Sequence, residues 1–268
     1  MIDRIGKLSV IMPAYNEEAS IYENAMETSK TIAGFVSKYE IIVVNDGSKD
    51  NTLEEARRAS FDDLHIQVIN SQPNFGKGHA LKTGTRAATG DYIAFCDADL
   101  DLHPKQLERF FEIMLESDCD AVIGSKLHPE SKVDYPWHRR IISWGYYIFL
   151  LILFHLNVKD TQTGIKLFRA DAIKPVMQKI LVKRFAYDIE MLAILHRRGK
   201  KIKSAPIEVI FQRGNLGSRI KTRDIFNVTK DTLAIFYRMY ILKYYDKDHT
   251  AAGIASNTKD VHNDSLKQ

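Results

Sequence analysis

The chain has 268 residues, enough for one large domain or two small ones with a proper core. Its 45% hydrophobic and 27% charged residues are those of an ordinary globular protein, and a formal net charge of +4 gives no argument for nucleic acid as a partner. Two cysteines, Cys96 and Cys119, exclude a disulfide framework and a cysteine-based zinc site. The N-terminus runs into an apolar strand without a signal-peptide pattern, so the cytoplasmic side is expected.

Leu8 to Met12 reads as a buried strand, broken by Pro13-Ala14-Tyr15-Asn16-Glu17-Glu18. Asn16 is the expected N-cap of a helix reaching towards Val36, with Glu17 and Glu18 in its first turn. Glu40 to Val44 is the next strand, ending in Asn45-Asp46-Gly47-Ser48, and a helix starts near Asp50 and Thr52. His65 to Ile69 is a third strand, followed by the loop Pro73-Asn74-Phe75-Gly76-Lys77-Gly78-His79 and a helix from Ala80 to Ala88. Asp91 to Phe95 is a fourth, leading into Cys96-Asp97-Ala98-Asp99-Leu100-Asp101. Pro104 opens another helix, and Ala121 to Ile123 is a fifth strand. This alternation implies a parallel, doubly wound α/β sheet, whose ligands sit beyond the carboxyl ends of its strands.

The polar clusters fall at those ends. Asp97, Asp99 and Asp101 cannot be buried unpaired, because desolvating a carboxylate costs several kcal/mol. They form either a solvated loop or a site for a hard cation such as Mg²⁺ or Mn²⁺, which in turn bridges phosphate oxygens. Four clusters on one rim, at 15–17, 46–48, 76–78 and 97–101, favour the site. Asp46 has two compatible roles, accepting a hydrogen bond from a uracil or guanine ring nitrogen and capping the following helix. Gly76-Lys77-Gly78 brings backbone amides and an ammonium towards phosphate, without the upstream glycine of a Walker motif. No Gly-x-Gly-x-x-Gly turn follows the first strand, against a nicotinamide or flavin cofactor.

The second half changes character. Pro136-Trp137-His138-Arg139-Arg140 leads into an apolar run from Ile141 to Leu156, interrupted by Ser143, Gly145 and His155. A membrane span needs roughly 20 apolar residues, so the run is either a buried core helix or an interfacial helix with Arg139 and Arg140 facing phosphates. A turn at Asp160 then precedes a short strand ending at Phe168. Phe185 opens a helix with Asp188 and Glu190 near its start, either capping it and pairing with Lys183 and Arg184 or positioning acceptor or sugar. Ala205 to Phe211 is a strand, leading to Arg213 and the stretch Gly217-Ser218-Arg219. Residues 223–245 end in an amphipathic helix, clearest from Asp231 to Tyr245, and 246–268 read as a disordered polar tail. His79, His103 and His196 form no ligand spacing.

Pro13-Ala14-Tyr15-Asn16-Glu17-Glu18, the Asn45-to-Thr52 segment, Gly76-Lys77-Gly78 and Asp97-Ala98-Asp99 together resemble family 2 inverting glycosyltransferases of the GT-A fold. The segments 160–168 and 185–190 narrow the resemblance to dolichyl-phosphate β-glucosyltransferases and dolichol-phosphate mannose synthases. The resemblance runs from about Leu8 to Lys221 and implies a transferase domain over 1–222, with a nucleotide-sugar half to about 125 and an acceptor half beyond it. It implies a nucleotide sugar as donor, UDP-glucose favoured and GDP-mannose open, and dolichyl or polyprenyl phosphate as acceptor. It places Asp97 and Asp99 on a divalent ion and the donor diphosphate, with Ala98 between them. Asp101, where the mannose synthases often carry glutamine, becomes a further metal contact. Pro13, Tyr15, Glu17 and Asp46 line the nucleoside, while Lys77, Arg213 and Arg219 face the diphosphate. Arg139 and Ser143, in an Arg-x-x-x-Ser pattern, and Lys126 meet the acceptor phosphate.

The chain departs from the pattern at Ser125-Lys126, where Ser-Arg is common, and at Arg219, where lysine is usual. Membrane attachment is then expected to be peripheral, on the cytoplasmic face, or through a membrane-protein partner. Two rivals stay open: a family 2 transferase acting on a polysaccharide or protein hydroxyl, which needs a base with a raised pKa, and a nucleotide-sugar-binding subunit without turnover.

Overall fold

In the computed structural model, residues 6–133, 137–182, 186–209 and 222–246 are described, with 137–143 and 222–227 described by their backbone alone. Strands β1 (Leu8–Ala14), β2 (Tyr39–Asp46), β3 (Ile66–Ser71), β4 (Tyr92–Phe95), β5 (Ala121–Ser125), β6 (Lys166–Arg169) and β7 (Ile202–Pro206) form one sheet in the order β3-β2-β1-β4-β6-β5-β7. Helices α1 (Ile21–Ala33), α2 (Thr52–Asp62), α3 (Lys77–Ala87), α4 (Gln106–Ser117), α5 (Trp137–Phe154), α6 (Ala170–Lys179), α7 (Tyr187–Arg197) and α8 (Thr222–Phe236) connect and follow them. The strands pair in parallel except β6, which runs antiparallel to both β4 and β5.

Both faces of the sheet are covered, which is why its strands read as near-continuous apolar runs. Leu8, Val10, Met12, Ile41 and Val43 share one core with Ile21, Ala25 and Ile32 of α1, Ala56 and Ala59 of α2, and Phe110, Phe111 and Met114 of α4. On the opposite face α3 lies so close that a Cβ at Gly84 would come 2.4 Å from Ile11 Cγ2. There α3 packs against α6, and α6 against α7.

Several boundaries differ from the sequence reading. Pro13 does not break β1, which continues to Ala14. The β1–β4 ladder ends at Ile11 opposite Phe95, so proline's missing N–H removes no bond on that side. Asn16 does not cap α1; it has a φ of 54° and accepts the Lys49 N–H, and the helix starts only at Ile21. Helix α3 begins at Lys77 rather than Ala80, and α5 begins at Trp137, taking Arg139 into its first turn and Ser143 into its second. Strand β7 begins at Ile202, ahead of Ala205, and ends at Pro206; of the rest of the expected strand, 207–209 make only an isolated bridge from Glu208 to Lys132, and 210–211 lie outside the described residues. Helix α6 had no counterpart in the sequence reading.

The chain divides into two units, Met1–Thr232 and Leu233–Gln268. The second contains the end of α8, a π-helical turn at Tyr237–Ile241 and a 3₁₀ turn at Tyr244–Asp246. The tail from 247 lies outside the described residues. Among the described residues no helix is long and apolar enough to cross a membrane.

Candidate active site

The rim beyond β1, β2 and β4 is a set of mutually bonded loops. The Asn16 N–H donates to Ser48 Oγ at 3.0 Å, and the Glu17 N–H to Thr52 Oγ1 at 2.7 Å. The buried Asp46 accepts the Phe75 N–H at 3.0 Å on one oxygen and the Gly76 N–H at 2.7 Å on the other. It therefore holds the loop that opens α3, and the expected cap on the following helix is not made by its side chain. Gly47 makes that closeness possible. Its φ is 67°, and a Cβ there would lie 2.5 Å from the Asn74 nitrogen.

From this anchored loop α3 starts at Lys77, so the positive end of its dipole faces the rim. Lys77 Nζ lies 2.5 Å from Asp97 Oδ1. On the other side of the acid loop, Asn24 of α1 donates from Nδ2 to the Ala98 carbonyl at 2.7 Å. The Asp101 N–H reaches Asp99 Oδ1 at 3.2 Å. The alternating acids are thus held from both faces of the sheet.

Strand β6 completes the site because it runs backwards. Its antiparallel course brings the turn before it, not its end, to the same rim. Lys166, opposite Phe95 in the ladder, is fully buried. Its ammonium lies 2.6 Å from Asp188 Oδ1 and also donates to the Thr163 carbonyl. The neighbouring Glu190, also buried, accepts the Leu181 N–H at 3.1 Å and the Val182 N–H at 2.8 Å. The expected partners Lys183 and Arg184 lie outside the described residues.

The charges form one coupled group. Burial pushes the Asp97 carboxyl up, but Lys77, with help from Lys166 and Lys126, brings it below the usual range. Burial works against the Lys77 ammonium, and Asp97, Asp188 and Asp99 outweigh it, holding its proton more tightly than usual. Asp99 is raised by burial and by the like charges of Asp97, Asp101 and Glu17. Asp188 is raised by burial against the pull of Lys166 and Lys77. The Tyr187 hydroxyl donates to Asp188 and is itself pushed well up by burial.

Beside this group a recess is lined by Lys126, Tyr146, Tyr147, Leu150, Lys159 and Gln162. The Lys126 N–H donates to Asp160 Oδ2 at 2.9 Å, fixing the β5 exit against the turn before β6. Burial raises Tyr146 to about 12. Pro13 and Glu17 are half-buried and Tyr15 is exposed on the rim. Arg139 and Ser143 are placed by their backbone in α5, without described side chains, and Arg213 and Arg219 lie outside the described residues. Asn24, Lys166 and Gly164 had no assigned role in the sequence reading. A lone lysine between Ile165 and Leu167 was the available signal for a buried ion pair.

Glycosyl transferase family 2 matches residues 9–177, more than half of the chain. The chain belongs to that family. This family 2 glycosyltransferase is 34% identical over 257 residues to a dolichyl-phosphate beta-glucosyltransferase, ALG5D, of Trichomonas vaginalis, covering 90% of this chain and 76% of that one. It is 32% identical over 207 residues to the dolichyl-phosphate beta-glucosyltransferase of Dictyostelium discoideum, covering 71% and 62% of the two. Its fold matches glucosyl-3-phosphoglycerate synthase from Mycobacterium tuberculosis, crystallised with Mn²⁺ and UDP-glucose. The TM-score is 0.59 at 18% identity, over 87% of this chain and 78% of that one. The sheet is therefore the expected GT-A fold.

The residues of this glycosyltransferase fit a divalent ion. Two carboxylates, Asp97 and Asp99, stand at one strand end, and the like charges of Asp97, Asp101 and Glu17 act on Asp99. Among the described residues no three His, Cys, Asp or Glu side chains group closely enough to hold an ion by themselves. Asp97, Asp99 and Asp101 are accordingly not a ready-made three-carboxylate cage. Like charges gathered that closely repel, and Lys77 instead takes Asp97. Mg²⁺ and Mn²⁺ suit this arrangement, since such ions are commonly held by one or two carboxylates with substrate phosphates completing the shell.

Proposed function

We propose that this family 2 glycosyltransferase moves glucose from UDP-glucose to a dolichyl or polyprenyl phosphate with inversion, at a membrane surface. The observation that carries the choice of acceptor is the condition of the two acids at the start of α7. A hydroxyl acceptor needs a general base to take its proton. Asp188, although raised by burial, is locked to the Lys166 ammonium at 2.6 Å, and Glu190 is buried on two backbone N–H groups. A phosphate acceptor is already anionic at neutral pH and needs no base. The names of the two relatives support the same acceptor and sugar.

In this reading Asp97 and Asp99 hold the ion and Lys77 faces the donor diphosphate, with Arg213 and Arg219 adding charge. When bound, the ion supplies Lewis-acid stabilisation of the departing diphosphate. Tyr15, Glu17 and Asp46 line the nucleoside, Asp46 chiefly by holding the Phe75–Gly76 backbone. The acceptor phosphate enters the recess at Lys126, and the Arg-x-x-x-Ser pair Arg139 and Ser143 of α5 is assigned to it. Its oxygen forms the new bond to the anomeric carbon as the bond to the nucleoside diphosphate breaks, and no proton moves. The exposed apolar stripe of α5, Trp144, Ile148, Leu151 and Ile152, lies on the lipid surface.

The test is a donor panel: purified protein, Mn²⁺ or Mg²⁺, a short polyprenyl phosphate and radiolabelled nucleotide sugars, followed by organic extraction. Label from UDP-glucose in the lipid phase is the expected result. Label from GDP-mannose alone would replace the donor. Donor binding without lipid product would overturn the acceptor, and folded protein that neither binds nor transfers would favour a non-catalytic subunit.

A further inference from the structure

We propose that Gly164 is a positioning residue for the ion site: its missing side chain is the space in which the Asp97 carboxylate lies. The inference rests on the reading of Asp97 as an ion ligand. It begins with the register of β6. Phe95 faces Lys166 and Ala94 faces Leu167 in an antiparallel ladder, so carrying the register two residues past the strand end sets Asp97 opposite Gly164. There the two chains come closer than any other residue would permit. A Cβ on Gly164 would sit 2.1 Å from Asp97 Oδ2, 2.6 Å from its Cγ and 3.1 Å from Oδ1. All three atoms belong to the one carboxylate, so the group lies directly over the glycine's Cα.

The glycine is there for room rather than for backbone freedom, since its φ is outside the left-handed region. The turn around it is fixed from three sides. The Lys166 ammonium binds the Thr163 carbonyl behind it, the Ile165 carbonyl accepts the Gly124 N–H at 3.2 Å, and Asp160 accepts the Lys126 N–H ahead of it. A methyl group at 164 therefore cannot escape by moving the turn. The short Asp97 side chain is what yields, by rotating its carboxylate away from Lys77 and from the position it shares with Asp99. The fold can survive that rotation; the aim of the acid cannot. Asp97 itself follows from the strand-end acids, but its orientation is set by a residue 67 positions later in the chain.

The test reads ion binding and folding separately from transfer. Mn²⁺ binding is titrated by electron paramagnetic resonance in the presence of UDP, and melting temperature is followed on the same samples. Gly164→Ala is expected to stay folded and to raise the Mn²⁺ half-saturation at least tenfold. Gly90→Ala supplies the steric control, because its added Cβ meets Lys7 and Ser9 at the opposite end of the sheet rather than any acid. It is expected to lower the melting temperature and leave Mn²⁺ affinity within twofold of wild type. A folded Gly164→Ala that binds Mn²⁺ as wild type does would overturn the proposal.

If Gly164→Ala is too unstable to titrate, a thermal cycle decides. Removing the carboxylate with Asp97→Ala empties the space, so Gly164→Ala added to that background should cost no melting temperature. An equal loss in both backgrounds would mean that the methyl group clashes with something other than Asp97, and the proposal falls. Wild-type protein that binds no Mn²⁺ with UDP present would overturn the ion reading itself, and this proposal with it.

Discussion

Lys166 is a full positive charge inside a four-residue strand, and its consequences can be argued from one contact. Both it and Asp188 are removed from water, which is costly for each ion, and their 2.6 Å pairing offsets that cost only while both are present. Lys166→Met therefore takes the ion-pair partner from a buried carboxylate and is expected to lower unfolding stability by about 3–5 kcal/mol in urea titrations. Replacing both, Lys166→Met with Asp188→Leu, should recover most of it; a double variant no better than the single one would show that the pair holds more than itself. Asp99 makes the complementary case, where function rather than stability is at risk. Asp99→Ala is expected to leave the fold intact and to reduce transfer about a thousandfold, roughly 4 kcal/mol of barrier. Near-normal transfer in a folded variant would remove Asp99 from the ion site. The two residues also differ in how plainly the sequence announces them. Acids alternating after an apolar strand have few cheap structural uses, so Asp97 and Asp99 stand out. A single lysine in Ile165-Lys166-Leu167-Phe168 looks like the exposed position of an edge strand, and its partner is 22 residues away.

At the scale of elements, what local pattern controls is legible and what tertiary contact controls is not. The five strands of the first half appear in the sequence because each is an apolar run between turn residues, and the rim clusters follow once the strands are parallel. The reversal of β6 leaves no such trace, since a short strand reads the same in either direction. Yet that reversal brings Gly164 and Lys166 beneath the acids. Helix α5 lies between these cases. Its length and apolar run are visible, but only the structure shows that Leu150 and Phe154 are buried while Trp144, at 50% exposure, and Ile152, at 70%, are not. With Ile148 these two form a stripe at helical spacing that no described part of the chain covers. An apolar side chain moved out of water is stabilised by about 1.5–3 kcal/mol when fully buried. Replacing all three, Trp144→Ser, Ile148→Ser and Ile152→Ser, is therefore expected to reduce the fraction sedimenting with anionic phospholipid vesicles at least tenfold. Transfer to a short, water-soluble prenyl phosphate should persist. Unchanged sedimentation would place the membrane-facing surface elsewhere.

Taken as a whole, the sheet separates its two tasks by end. The carboxyl ends of its strands gather Asp97, Asp99, Lys77 and Asp188 in an arrangement suited to holding charged ligands. The opposite end carries a polar seam that only joins strands. Glu40, at the start of β2 and buried, accepts Ser9 Oγ at 2.5 Å, Lys7 Nζ at 2.7 Å and the Thr89 N–H at 2.7 Å, and Ser9 Oγ accepts the Gly90 N–H at 2.8 Å. Burial alone would raise the Glu40 carboxyl, but the bonds from Lys7, Ser9 and Thr89 outweigh it and hold it below the usual glutamate range. A carboxylate depressed in the folded state binds fewer protons there than in the unfolded chain, so its stabilisation increases with pH through the window between the two values. The contribution is complete above about pH 4.3, the ordinary glutamate value, and disappears as pH falls through the lower folded one. Glu40→Gln keeps the shape and removes the charge. The variant should be less stable than wild type by about 1–3 kcal/mol at pH 7, the range for bonds to a charged group. That gap should narrow as urea titrations are repeated at successively lower pH below 4.3. A gap that stayed constant on acidification would mean that Glu40 stabilises through packing alone, and the seam would then contribute nothing to the acid sensitivity of the fold.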